Sequence, residues 1–383
     1  MSRTPKILIA GAGIGGLALA QALRHRGLEV AVYEQDPTPR IRNQGFRIHI
    51  DADGNTALRT CLPPAVFDQV RASSGSNDAV LGMYTEQLDC TLRQQFPGIT
   101  EELITNVDRN TFRRALLTGL DGIVHFGHTL TGYELTDTGG VRVRFAEGAV
   151  AEADLLIGAD GVGSAVRRTL LPHAIVRDLG VRCLYGRMTL TDTTRALLPP
   201  ALAHGFTWVS DGIGCGAGFA PLRFRNLPSD AVDYLMITLL ATPEHLGVPH
   251  AELQRLAPPE LWKLTNSATA NWHPGLRALF AHADPESFFP IALRAGEPVP
   301  PWEPGPVTLL GDAIHTMPPT GGVGANTALR DAETLAVELF SVAAGRRSLR
   351  EAVAAYETVM LPRGFATIDS SLAMAAQLFG RAV

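Results

Sequence analysis

Four glycines within six residues, Gly11-Ala12-Gly13-Ile14-Gly15-Gly16, join a short apolar stretch to a run with helical spacing. That junction constrains the fold of this chain more than any other feature. Lys6-Ile7-Leu8-Ile9-Ala10 reads as a buried strand, and Leu17, Ala20, Leu23 and Arg24 follow with a helical period. A second apolar strand, Glu29 to Tyr33, ends in Glu34. Strand, glycine turn, helix, strand and acidic end form a dinucleotide fingerprint in its expected context. Gly11 makes the tight turn, Gly13 lets backbone approach a pyrophosphate, and Gly16 lets helix and strand pack closely. The helix N-terminus then offers free N–H groups and the positive end of its dipole to the phosphates. Glu34 stands at the spacing that accepts from a ribose 2′-hydroxyl. A carboxylate there repels a 2′-phosphate, so FAD or NAD rather than NADP suits this turn.

With 383 residues the chain makes one large domain with an insertion, or two ordinary domains. A net charge of −5 without a basic block argues against a nucleic-acid surface. Cys61, Cys90, Cys183 and Cys215 lie far apart with no CxxC pair. That spacing suits a reducing compartment and suggests neither a disulfide framework nor a metal site. The apolar run Ile7 to Leu23 is interrupted by its glycine cluster and is not followed by a small-residue cleavage site, so it does not read as a secretion signal. No stretch approaches the roughly 20 apolar residues of a membrane span. The expectation is a soluble, cytoplasmic protein.

Two further motifs follow. Asp154-Leu-Leu-Ile-Gly-Ala-Asp160-Gly161 is an apolar strand running into an Asp-Gly turn, with Ser164 placed to cap the next helix and Arg167 within it. Val307-Thr-Leu-Leu-Gly311-Asp312-Ala-Ile-His315 is another strand, and Pro318-Pro319-Thr-Gly321-Gly322-Val-Gly324-Ala325-Asn326 is a second glycine-rich turn. A helix from about Thr327 to Ala344 follows, with Leu329, Ala332, Leu335, Ala336 and Leu339 on one face. An aspartate at the carboxyl end of a parallel strand stands where open α/β sheets bind ligands. The row of bare N–H groups beside it suits a developing negative charge.

In this order and spacing, the three motifs resemble those of the FAD-dependent aromatic hydroxylases, single-component flavoprotein monooxygenases of the p-hydroxybenzoate hydroxylase type. The likeness runs from residue 6 to about 340 and includes Asp331-Ala332 and the segment from Trp272-His273-Pro274 to Leu293-Arg294. By this resemblance Gly11, Gly13, Ile14, Gly15 and Gly16 hold the pyrophosphate of FAD and Glu34 the adenosine ribose. Arg42, or its neighbour Arg40, touches the pyrophosphate. Arg109 reaches phosphate or ribityl oxygens with paired donors. Asp160 supports the FAD side and a transient encounter with NADPH or NADH. Asp312 accepts from a ribityl hydroxyl, a charged hydrogen bond worth roughly 1.5–3 kcal/mol, and Gly324, Ala325 and Asn326 line the flavin pyrimidine edge. The resemblance implies NAD(P)H- and O2-dependent hydroxylation of a hydrophobic aromatic or related unsaturated small molecule through a flavin hydroperoxide. Two departures stand out. Ile314 replaces a more usual Ala or Cys, and no residue matches a base that would deprotonate a phenol.

On the substrate side, Gln44 to Asp51 alternates, with Phe46, Ile48 and Ile50 on one face and Arg47, His49 and Asp51 on the other. Arg47 and His49 are the candidates for contact with flavin or substrate. Strands at Val181–Thr191, Gly205–Val209, Ile213–Leu222 and Asp233–Leu240 suggest an antiparallel sheet. Gly212, Gly214, Gly216 and Gly218 leave one strand face bare, either as a pocket floor or for tight packing. Gly214, Gly216, Phe219 and Trp208 are the substrate candidates, with Phe206, Phe224 and Trp272 as further lining. His315 takes no catalytic role. The expected fold is α/β, a Rossmann-like FAD-binding domain with an inserted antiparallel β-sheet substrate domain and C-terminal helices. The FAD-binding parts are 1–72, 98–178 and 296–345, the substrate domain 73–97 and 179–295, and the C-terminal helices 346–383. An FAD-linked dehydrogenase or oxidase of the same fold, and a flavin-binding protein without turnover, stay open as alternatives.

Overall fold

The computed structural model describes residues 4–39, 45–76, 79–100 and 103–379. The strand Lys6–Ala10 lies at the centre of a five-stranded parallel sheet. Glu29–Glu34 and then Val124–Phe126 lie on one side of it, Leu155–Gly158 and then Val307–Leu309 on the other. Parallel neighbours need crossovers, so both faces are covered and the central strand is apolar throughout. Ile7, Leu8 and Ile9 are fully buried. Helix Ile14–His25 packs against helix Gly324–Ala343, whose stripe of Leu329, Ala332, Leu335, Ala336 and Leu339 is buried as its period predicts. That helix begins three residues before the expected Thr327, because the end of the glycine turn forms its first turn.

The second body is a seven-stranded sheet in the order Phe289–Gly296, Val176–Thr189, Tyr234–Ala241, Cys215–Leu222, Phe206–Ser210, Val80–Thr85, Cys90–Gln95. Its pairs are antiparallel except that between Phe206–Ser210 and Val80–Thr85, which is parallel because the latter strand enters from a distant part of the chain. Helices Pro258–Ala268 and Pro274–Ala281 cover one face through Leu261, Leu276, Leu279 and Phe280. The other face looks toward the parallel sheet's domain. The expected boundary at 178/179 falls inside the single strand Val176–Thr189, at an irregularity between Asp178 and Arg182. The two bodies therefore share that strand.

Residues Leu349–Phe379 form one 31-residue helix, continuing through Pro362. Tyr356 anchors its first half, donating to the carbonyl of Leu309 at 2.8 Å, while Val353 and Met360 are fully buried beside it. Its far end lays Ala375 and Phe379 against Trp208 of the large sheet. The helix thus spans both bodies. Among the described residues no helix is long and apolar enough to cross a membrane.

Candidate active site

The glycine turn is shaped by contacts that a Cβ would break. Gly11 sits at φ +103°, where a Cβ would lie 2.4 Å from the Ala159 carbonyl oxygen, and one on Gly16 would lie 2.2 Å from the Gly11 oxygen. Gly13 differs, since a Cβ there would meet nothing within 4 Å. It caps helix Ile14–His25 with no side-chain hydrogen bond, leaving the first N–H groups to an outside acceptor. Gly15 turns its Cα hydrogens inward, and packing there requires glycine, while its backbone N–H belongs to the open first turn. Its Cβ would strike Leu310 at 2.5 Å and crowd Ala328. Ile14 is buried at the helix start.

Glu34 is buried, and both its oxygens accept backbone hydrogens, from Ala12 at 2.7 Å and Asp36 at 2.9 Å. It braces the glycine turn, and each oxygen retains a lone pair for a hydroxyl. Arg113 was not anticipated from the sequence. Its Nε donates to the Ala12 carbonyl at 3.0 Å and its guanidinium lies 3.8 Å from Glu34. Only folding brings this helix arginine to a turn a hundred residues away. Arg40 and Arg42 lie outside the described residues.

Asp160 Oδ2 accepts from the N–H groups of Ala165 and Val166, at 2.7 and 3.2 Å, capping the next helix with Ser164, whose Oγ accepts from Arg167 N at 2.9 Å. Asp160 Oδ1 is buried without a hydrogen-bond partner. Arg167 in turn donates to the Ala313 carbonyl at 2.8 Å and ties this turn to the Asp312 loop. Asp312 is solvent-exposed. The protein atoms crowded around its carboxyl nevertheless push it up, against the attraction of His315 and Arg109. A Cβ on Gly324 would lie 3.9 Å from Asp312 Oδ1, so the helix that starts there directs its N-terminus toward this carboxylate. That helix has no side-chain cap either. Two uncapped helix starts, an unpartnered carboxylate oxygen and open space over Gly13 fit an extended group with a pyrophosphate and a polar ring edge. FAD has that form. Gly13, Asp160, Arg109, Asp312 and the 324–326 backbone are the residues that would hold it.

The Asn326 side chain is committed elsewhere. It donates to the His49 carbonyl at 2.9 Å and accepts from Asp51 N at 3.1 Å, so it locks the 49–51 segment to the helix and leaves only its backbone for a flavin edge. His49 lies in the short strand Arg47–Ile50, paired with Thr105–Asp108 and half-buried beside Asn106. Burial, then the Arg47 charge, lower its pKa. His315 is fully buried, with Nε2 2.5 Å from Asp331 Oδ2, and Asp331 also receives Gly311 N and Arg363. This network fixes the Gly311-Asp312 turn.

The face of the large sheet that looks toward Asp312 carries an aromatic cluster. Tyr185 stacks on Phe289 with centroids 5.4 Å apart and planes at 6°, and Phe46 meets Phe289 at 5.7 Å and Tyr234 at 5.9 Å, both edge-on. The Phe46 carbonyl accepts Arg109 N at 2.7 Å, which joins this cluster to the candidate cofactor site. Phe46 precedes its strand and turns away from Ile48 and Ile50 into this cluster. Neither it nor Tyr185, Tyr234 or Phe289 stood out in the sequence. Period-2 spacing shows that a strand has two faces and not which one meets the cofactor.

The bare glycine face needs correction. Gly212 and Gly214 lie in the turn before Cys215–Leu222, at φ +73° and +127°. A Cβ on Gly216 would sit 2.2 Å from the Trp208 indole, and one on Gly218 2.7 Å from Thr238 Oγ1 and 3.1 Å from the Phe206 ring. The flat objects that approach these glycines are the chain's own rings. Trp208 is buried against Phe379, and Phe219 points to the opposite face beside Phe280, in the same core as Trp272. Gly216, Trp208 and Phe219 are therefore packing residues, while Phe206 and Phe224 border the aromatic cluster. At the adjoining turn, Asp211 and Cys215 bring ligand atoms within 4.8 Å of one another and of His245, which comes from helix Pro243–Leu246. Asp211 Oδ1 already accepts from Ile213 and Cys215 N–H groups at 2.9 and 3.0 Å.

Comparison with known proteins agrees with this geometry. Residues 269–371 match the FAD binding domain family and residues 9–68 an NAD(P)-binding Rossmann-like domain. The chain is related to the FAD-dependent monooxygenases. It is 32% identical over 98% of its length to the dual O-methyltransferase/FAD-dependent monooxygenase CTB3 of Cercospora beticola, of which the match covers 46%. The chain thus spans about half the length of such dual-function relatives. It is 29% identical to 6-hydroxynicotinate 3-monooxygenase of Pseudomonas fluorescens, over 93% of this chain and 88% of that one. A crystal structure from Photorhabdus luminescens, of a protein assigned as an FAD containing monooxygenase, superposes with a TM-score of 0.85 at 29% identity, covering 99% of this chain and 100% of that one.

Proposed function

We propose that this chain is an FAD-dependent monooxygenase that uses NAD(P)H and O2 to hydroxylate a hydrophobic aromatic small molecule. The observation that carries the reading is the junction at Phe46. Its carbonyl accepts from the backbone N–H of Arg109, whose guanidinium is under the attraction of Asp312, while its ring belongs to the aromatic cluster of the large sheet. A cofactor at Asp312 and a ring-shaped substrate among Phe46, Tyr185 and Phe289 are thereby neighbours. Bound FAD supplies hydride acceptance and oxygen activation, and the protein's part is placement. Asp312 and Arg109 orient the cofactor, the uncapped start of Gly324–Ala343 stabilises negative charge at its polar edge, and the aromatic cluster excludes water from the reacting face.

The test is NAD(P)H consumption by the purified protein under 18O2 with a panel of aromatic metabolites. One 18O atom retained in the product supports the proposal. Turnover giving an unlabelled oxidised product favours a dehydrogenase or oxidase of the same fold. Bound FAD that NAD(P)H reduces no faster with any ligand favours a flavin-binding protein without turnover.

A further inference from the structure

We infer that Arg187 is the recognition group for a negative charge on the aromatic substrate, a carboxylate or a deprotonated ring hydroxyl. The inference rests on the monooxygenase reading only in placing an aromatic ligand among Phe46, Tyr185, Tyr234 and Phe289.

Arg187 follows Tyr185 by two positions on the strand Val176–Thr189, so both side chains leave the same face of the sheet. Its guanidinium carbon lies 5.4 Å from the centre of the Phe46 ring and 5.9 Å from that of Tyr234. It stands within the aromatic cluster, one contact away from the residue whose carbonyl Arg109 holds.

A guanidinium nitrogen buried without an acceptor is costly, and other buried or half-buried guanidiniums of this chain have found partners. Arg113 lies beside Glu34, Arg167 holds the Ala313 and Val162 carbonyls, and Arg363 holds Asp331. Arg187, itself half-buried, lies against two rings, with Nε buried and lacking any hydrogen-bond acceptor, and forms no ion pair within 4.0 Å among the described residues. The acid of this region, Asp108, is engaged by the Tyr234 hydroxyl and by Thr111 N and Oγ1. Arg47, across Tyr234, adds a second positive charge rather than a counterion.

Stacking on ring faces fixes the guanidinium plane and leaves its N–H donors around the edge, the arrangement that suits paired bonds to a carboxylate or a strong bond to a phenolate. A ring substrate bearing one such anion would fill the aromatic cluster and complete the pairing that the protein leaves open.

The experiment titrates the FAD-loaded full chain, followed by flavin absorbance, with matched probes. Salicylate is compared with salicylamide and 3-hydroxy-2-naphthoate with its carboxamide, while 2-naphthol and its methyl ether, across a pH series, distinguish a ring oxygen anion from a carboxylate. The anion of at least one pair should bind about tenfold more tightly than its neutral partner. Arg187→Gln should bring that ratio near one with FAD affinity and thermal transition unchanged, and Arg187→Lys should restore part of it. No preference for any anion, including no binding by any probe, overturns the inference. So does an equal weakening of both partners by Arg187→Gln, which would mark the arginine as a structural clamp. Oxygen incorporation is scored separately on the unaltered protein. A chain that discriminates anions yet yields no labelled product would refute the monooxygenase reading and leave the role of Arg187 standing.

Discussion

The Tyr234 hydroxyl donates to Asp108 Oδ2 at 3.0 Å, joining the large sheet to the strand that leads into helix Arg109–Leu117. Asp108 Oδ1 caps that helix, accepting from Thr111 N at 2.9 Å. Both residues are buried, so one carboxylate sets the helix start at Arg109 and pins it beneath the aromatic cluster.

Tyr234→Phe removes the donor and leaves Asp108 Oδ2 buried with less compensation. The expected loss is about 1.5–3 kcal/mol of stability in urea unfolding, together with weaker FAD retention as Arg109 loses its fixed position. A variant within about 0.5 kcal/mol of the parent would show that the contact does not carry this junction.

Gly13 and Gly16 should respond oppositely to alanine. Gly16→Ala drives a methyl into the Gly11 oxygen, and should cost about 3 kcal/mol or more. Gly13→Ala meets no protein atom, and should keep stability within about 1 kcal/mol while lowering FAD affinity by about tenfold or more. Unchanged FAD binding in a folded Gly13→Ala protein would remove the pyrophosphate from this turn.

Gly216→Ala should destabilise the protein by about 1–3 kcal/mol through displacement of the Trp208 indole, detectable as altered tryptophan fluorescence. A fully stable variant whose only defect is substrate affinity would return Gly216 to the pocket.

Glu357 accepts from Thr308 Oγ1 at 2.8 Å, and burial raises its carboxyl to about 7. The folded protein therefore holds this proton more tightly than the unfolded chain. Stability should fall by about 3 kcal/mol as pH rises from about 4.5 to 7. Glu357→Gln should flatten that part of the pH profile, and an identical slope in parent and variant would refute the assignment.

Burial opposes the proton on His315, but Asp331 beside it prevails and raises its pKa, while Asp331 is itself held low by His315 and Arg363 against burial. The histidine's contribution is complete below about pH 6.5 and is lost as pH rises through its raised value. The Asp331 contribution is complete above about pH 3.9 and is lost as pH falls through its depressed value. The stability gap between the parent and His315→Gln should be widest near about pH 5–6 and narrow in alkali. A gap independent of pH would show that the pair acts through packing alone.

The sequence by itself determined the parts whose requirements are local. A turn that needs φ +103° at Gly11 and tolerates no Cβ at Gly16 has to be written in glycine. The buried stripe from Leu329 to Leu339 has to repeat with the helix. For the same reason the fold class, the strand ends at Asp160 and Asp312 and the cap at Ser164 are legible in the sequence. What only the tertiary structure decided is which side chains meet. Glycines that leave a strand face bare do not say what fills the space, and Trp208 and Phe206 fill it from the neighbouring strand. Asn326 carries a motif position, yet spends its amide on His49 and Asp51, far away in the chain. Phe46, Tyr185, Arg187 and Tyr234 belong to no motif. They form one cluster because a shared strand and one buried hydrogen bond bring the faces of two bodies together, and pairings over such separations leave no period in the sequence.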